Sequence, residues 1–252
     1  NREFLNFGAS GNFGPLQQLL LYNNFSNLLH SGVIIFFLPA NDFQDNDIEF
    51  WSIRDRKRYR PYFNDDGNVL EPFYFPEAKP RKVFMGDSIS HINLFIKEYF
   101  WSANAIRTFL LYIRGHTRWK NEVLDAKRST LAGYYKASDI QQENIIKNYK
   151  QLSKSISKEK NILFVLIPSK RDIIQYLNTS NPNSYKKMKW YKGLQDINND
   201  VENTVLVLDL LEKLPPNPNS LFFDCDGHWN ISGNRWASEE ISRFILDTTL
   251  FQ

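Results

Sequence analysis

Three short, almost unbroken apolar runs constrain this chain most: Gly32 to Leu38, Asn161 to Ile167 and Thr204 to Leu210. A half-exposed strand alternates apolar and polar side chains, so a continuous run of this length marks a strand covered on both faces, the signature of a parallel sheet. Helical patterns separate the runs. One is predicted from Pro15 to about His30, with proline suited to the first helical turn. A second runs from Ser138 to about Lys158 and opens on a Ser138-x-x-Gln141 capping box. A third spans Ser184 to about Asn198, and an amphipathic stretch from Ser232 to Leu246 closes the chain. Arg2 to Phe7 reads as a further strand that ends in a Gly-rich turn, Gly8 to Gly14. Strands alternating with helices predict an α/β domain with a parallel sheet sandwiched between helical layers.

At 252 residues the chain fits one α/β domain, 1–252, carrying an insertion over 43–133. The first half of the insertion is rich in Pro, Asp, Asn and aromatics. Its second half, Ile89 to Arg114, reads as a long helix with Ile92, Phe95, Ile96, Phe100, Ala103, Ile106 and Leu110 on its apolar positions. A net charge of +3 does not argue for nucleic acid, and the basic clusters at Arg54 to Arg60 and Arg114 to Lys120 read as solvated loops. The single cysteine, Cys225, excludes an internal disulfide and reads as a small buried filler. No apolar run is long enough to span a bilayer. No signal peptide is visible; the chain opens directly in strand-like sequence, and its compartment is not readable.

Three segments carry chemistry. The first is Asp224-Cys225-Asp226-Gly227-His228-Trp229-Asn230, where Asp226 can hold the His228 imidazole in one tautomer. The second is Asn6-Phe7-Gly8-Ala9-Ser10-Gly11-Asn12, and the third is Pro39-Ala40-Asn41-Asp42. Ligands of open parallel sheets bind beyond the carboxyl ends of the strands. Gly11, Asn41 and His228 each follow a strand, so all three are expected on that edge. Gly11 would offer a backbone N–H at close approach, and Asn41 a side-chain amide, to a developing oxyanion. Taken singly, each has a plainer reading: the glycines as a turn, Asn41-Asp42 as a cap after a strand, His228 as a surface histidine.

Together these segments resemble the SGNH/GDSL hydrolase superfamily: Asn-x-Gly-x-x-Gly after a strand, Asn-Asp after the next, then Asp-x-His-Trp-Asn with Gly233 before a closing helix. The resemblance implies a three-layer α/β/α flavodoxin-like sandwich with sheet order 2-1-3-4-5. It also implies a serine esterase or O-acyltransferase with His228 and Asp226 in the triad and Gly11 and Asn41 in the oxyanion hole. It implies neither a metal nor a cofactor. The Asp-x-His-Trp form is similar to bacterial branches associated with polysaccharide O-acetylation, which makes an acylated small molecule or carbohydrate the expected partner. An extracytoplasmic setting fits that resemblance.

One block departs from the family. Its Gly-Asp-Ser should precede Asn6, and the expectation is a chain truncated before its nucleophile and inactive as it stands. Gly86-Asp87-Ser88 occurs inside the insertion, where it reads as a helix cap. The rearranged alternative makes Ser88 the nucleophile, with Lys82 to Met85 in the vacant sheet position; His91 reads as a helix-surface residue.

Other readings stay open. An α/β-hydrolase would use Ser10, Asp209 and His228, but Asn12 stands where the nucleophile elbow wants glycine. A metal site could draw on Asp224, Asp226 and His228. A non-catalytic domain could present Trp51, Tyr59, Tyr62, Phe63, Phe73, Tyr74 and Phe75 as a glycan or partner platform.

Overall fold

The middle strand of the described sheet is the most completely buried of the three runs. Asn161–Ile167 lies between Val33–Pro39 and Val205–Asp209, paired in parallel to both. The computed structural model describes residues 14–26, 32–45, 62–66, 69–73, 109, 113, 133–156, 158, 160–202, 204–223 and 227–248. Within them the strands are β1 (Val33–Pro39), β2 (Tyr62–Asp66), β3 (Val69–Phe73), β4 (Asn161–Ile167) and β5 (Val205–Asp209). The helices are α1 (Pro15–Phe25), α2 (Asp42–Asp45), α3 (Asp139–Lys154), α4 (Lys170–Asn178), α5 (Lys189–Asp196) and α6 (Ile231–Asp247). The described residues thus form a mixed α/β fold around a three-stranded parallel sheet of order β1-β4-β5, with a separate antiparallel β2-β3 pair.

Register decides which face each side chain occupies, because partners in a parallel ladder point to the same side. Phe36, Phe164 and Val207 therefore share one face, as do Leu38, Leu166 and Asp209. Helix α3 covers that face: Tyr149 meets Phe164 edge-on with ring centroids 4.9 Å apart, and Phe164 lies 6.0 Å from Phe36. Ile162 to Leu166 are all buried, as the continuous run requires of a central strand. β1 departs from the expectation of burial on both faces, since Phe37 is 46% exposed. Among the described strands β1 pairs only with β4.

Helix α3 begins as the sequence predicts. Ser138 Oγ accepts from Gln141 N at 3.2 Å, and Gln141 Oε1 accepts from Ser138 N at 3.1 Å. The expected helix over Ser184 to Asn198 is instead three pieces: a 3₁₀ segment Pro182–Lys187, α5, and a 3₁₀ turn Ile197–Asn199. Met188, extended at ψ 151°, breaks the first from the second. Helix α4 is an element the apolar pattern did not reveal. Its start is a second capping box, with Ser169 Oγ accepting from Asp172 N at 3.3 Å. The strand expected at Arg2 to Phe7 and most of the helix expected over Ile89 to Arg114 lie outside the described residues. Of that helix, Phe109 and Ile113 are described, helical and exposed. No helix among the described residues is long and apolar enough to cross a membrane.

Candidate active site at the carboxyl edge of the sheet

Asn41 sits in the turn between β1 and α2, exposed at the carboxyl end of its strand. The residues on either side of it are pinned. Tyr134 Oη donates to Leu38 O at 2.6 Å, and Tyr149 Oη donates to Asp42 Oδ2 at 3.1 Å. Asn41 O accepts from Asp45 N at 3.1 Å, closing the first turn of α2. Its side chain does not cap in the usual sense, with oxygen toward the helix N–H groups. Asn41 Nδ2 donates to the Asp45 carboxylate, so the chemistry of the partner fixes which end of the amide faces it. The amide has two N–H groups, and the one engaged by buried Asp45 sets the direction of the other.

His228 lies in a turn that leaves the sheet beyond β5 and returns at the start of α6. The turn is closed at its base by an antiparallel bridge between Phe222 and Trp229. Phe223 N donates to His228 O at 3.2 Å, and Asn230 N donates to Leu221 O at 2.9 Å. Asn230 caps α6: its Oδ1 accepts from Gly233 N at 3.0 Å, while its Nδ2 donates to Ser220 O and Phe222 O, each at 2.9 Å. One contact holds this turn, and another holds α6, to the carboxyl edge. Lys170, which opens α4 just past β4, places its ammonium 5.6 Å from the Phe222 ring centroid. Trp236 Nε1 donates to Lys213 O at 3.0 Å, in the segment that follows β5. His228 itself is exposed. Asn41 thus directly follows β1, whereas His228 comes after β5 only by way of two 3₁₀ turns, Leu210–Lys213 and Pro218–Leu221, and the Phe222–Trp229 bridge. Gly11 and Asp226, and with them Ser10, Ser88, Asp224 and Cys225, lie outside the described residues.

Beneath this edge runs a polar web that the sequence reading did not reveal, although it weighed one member, Asp209, as a triad acid. Asp172 Oδ1 accepts from Tyr134 N at 3.1 Å, and its Oδ2 accepts from Ser169 N at 3.0 Å and Ser169 Oγ at 2.5 Å. Asp209 Oδ2 accepts from Tyr185 Oη at 2.6 Å, and Oδ1 from Leu211 N at 3.0 Å. Burial raises the pKa of both carboxyl groups, and these hydrogen bonds offset part of the rise. Burial, reinforced by Asp209, pushes Tyr191 up to about 12 and Tyr185 higher still, so both remain hydrogen-bond donors at any ordinary pH. The aromatic rings knit the web together: Trp190 stacks on Tyr134 with centroids 5.1 Å apart, and Phe43 meets Trp190 edge-on at 5.2 Å. Trp190 Nε1 donates to Tyr134 O at 3.1 Å. One stack thus ties the end of β1, the cap of α4 and the start of α5.

This web assigns roles to two residues of chemical type. Ser169 is a helix cap whose hydroxyl is engaged by Asp172. Asp209 serves a tyrosine and a backbone amide, which is not the imidazole-orienting role that the Ser10-Asp209-His228 alternative requires. The findable signal was Ser169-x-x-Asp172 directly after an apolar strand. Among the described residues, no group of three His, Cys, Asp or Glu side chains is placed to hold a metal ion. No family model, no curated protein and no solved structure significantly matches the chain.

Proposed function

We propose that this protein is an SGNH-type serine esterase or O-acyltransferase acting on acyl esters, with acetylated carbohydrate as the substrate class the sequence resemblance favours. His228 is the general base, Asp226 orients it, and Gly11 N–H and the Asn41 amide stabilise the oxyanion. The serine attacks the ester carbonyl as His228 takes its proton. The tetrahedral oxyanion then collapses, expelling the alcohol protonated by His228, and water or an acceptor hydroxyl resolves the acyl-enzyme.

The observation that carries this reading is the joint position of Asn41 and His228. Each is an exposed polar side chain on a braced turn: Asn41 directly after β1, at the edge where open parallel sheets bind ligands, and His228 in the turn whose Phe222 ring meets Lys170, just past β4. The order β1-β4-β5 supports the reading further, since it corresponds to the third, fourth and fifth strands of the family's 2-1-3-4-5 sheet. We place the nucleophile upstream of Asn6, as in the family's strand-one block, with Ser88 as the alternative.

The test is turnover of 4-nitrophenyl acetate by the full-length gene product and by its His228→Ala and Ser88→Ala variants. Turnover lost in His228→Ala and kept in Ser88→Ala supports an upstream serine. Loss in both assigns Ser88. Turnover that His228→Ala leaves untouched, or no turnover in any form, sinks the reading; retained binding of an acetylated glycan without turnover would make this a binding domain.

A further inference from the structure

We propose that Asn230 is a positioning residue for His228, a proposal that rests on the acyl-transfer reading above. An asparagine side chain offers two donors and an acceptor. Here the acceptor caps α6 through Gly233 N, and the amide nitrogen reaches Ser220 O, in the 3₁₀ turn Pro218–Leu221, and Phe222 O, on the leg that enters the His228 turn. One planar group thereby binds both legs of the turn to the helix start. The backbone repeats the link, with Asn230 N on Leu221 O at 2.9 Å and Phe223 N on His228 O at 3.2 Å. Gly233 lets the legs come this close: a Cβ there would stand 2.3 Å from Leu221 O and 3.0 Å from Trp229 Cβ. His228 is only two residues from Asn230 on the returning leg, so its backbone inherits this rigidity although its side chain is exposed.

No shorter or purely accepting side chain performs both tasks. Aspartate and serine cap helices well, yet neither can donate to both carbonyls while capping. Asn230→Asp and Asn230→Ser should therefore keep α6 and release the turn.

The experiment measures amide hydrogen exchange and 4-nitrophenyl acetate kinetics on the full-length gene product and both variants. Far-UV circular dichroism reports folding, and the serine variant decides the matter if the aspartate variant does not fold. The expected result is exchange of the Phe223 N–H faster by about tenfold or more, as one to two lost hydrogen bonds imply. Gly233 N–H should stay protected. In parallel kcat should fall about 100-fold with KM little changed, the loss expected when a catalytic group shifts by about 1 Å. Unchanged Phe223 exchange overturns the clamp. Faster exchange with unchanged kcat in an active enzyme overturns the positioning role. Absence of turnover in the unaltered protein condemns the hydrolase reading instead, and the exchange of Phe223 then judges the clamp alone.

Discussion

Replacing Gly233 with alanine tests the packing beneath the His228 turn, because local and tertiary effects oppose one another there. Gly233 is the third residue of α6 and has no left-handed backbone to protect, so helix propensity alone favours alanine by about 1 kcal/mol. Space argues the other way. The added Cβ would meet a backbone oxygen at 2.3 Å, a contact that no side-chain rotation relieves. Overpacking of this kind costs about 1–3 kcal/mol. The oxygen in question, Leu221 O, also accepts from Asn230 N, a bond worth about 1 kcal/mol that the displacement would weaken. The sum is a net loss of about 2 kcal/mol, which lowers Tm by roughly 4–8 °C in a chain of this size. Thermal and urea melts measure it. Gly32→Ala is the internal control, since a Cβ there meets nothing within 4 Å, and its stability should change by less than about 0.5 kcal/mol. A Gly233→Ala protein as stable as the parent, or more stable, would refute the close approach of α6 to the turn.

Three further expectations concern the polar web and the anion site. Asp172 is held above the usual carboxylate range by burial, so the stability its neutral form confers is complete below about pH 4 and is lost as pH rises through the raised folded value. The stability difference between wild type and Asp172→Asn, from urea midpoints across pH, should therefore fall as pH rises; a pH-independent difference would contradict the buried carboxyl. Tyr185→Phe strips the buried Asp209 carboxylate of its 2.6 Å donor and should cost about 1–3 kcal/mol in urea unfolding. A loss under about 0.5 kcal/mol would show that Lys186 or solvent compensates. Asn41→Ala should lower kcat about 100- to 1000-fold with little change in KM, because an oxyanion donor acts in the transition state. A rise in KM alone would reassign Asn41 to substrate binding.

Legibility in the sequence followed physical range. The strands at Val33–Pro39, Asn161–Ile167 and Val205–Asp209 were readable to within a residue or so, because a strand buried on both faces leaves an apolar run that little else produces. The capping box at Ser138 was readable because both its partners are local. Helix α4 escaped because only nine residues form it, most of them polar, and its signal is the Ser169–Asp172 box rather than a periodicity. The break at Met188 escaped because the run from Ser184 keeps a helical look on both sides of it. Asp172, the true partners of Asp209 and the Tyr134–Trp190–Tyr185 stack were illegible for a deeper reason. A carboxylate or tyrosine reads as surface until partners far along the chain are known, and Tyr134 finds Leu38 and Asp172 only in the folded state. At the site itself, the position of Asn41 directly after β1 was legible from strand order alone. The clamp on the His228 turn was not, because Ser220 and Phe222 contribute backbone oxygens that carry no sequence mark.

The most direct measurement of the central claim is reaction of the full-length gene product with a fluorophosphonate, the adduct mapped by mass spectrometry. An acyl-transfer site built on His228 gives one modified serine whose labelling disappears in His228→Ala. No adduct, or a serine labelled equally well without His228, would contradict it.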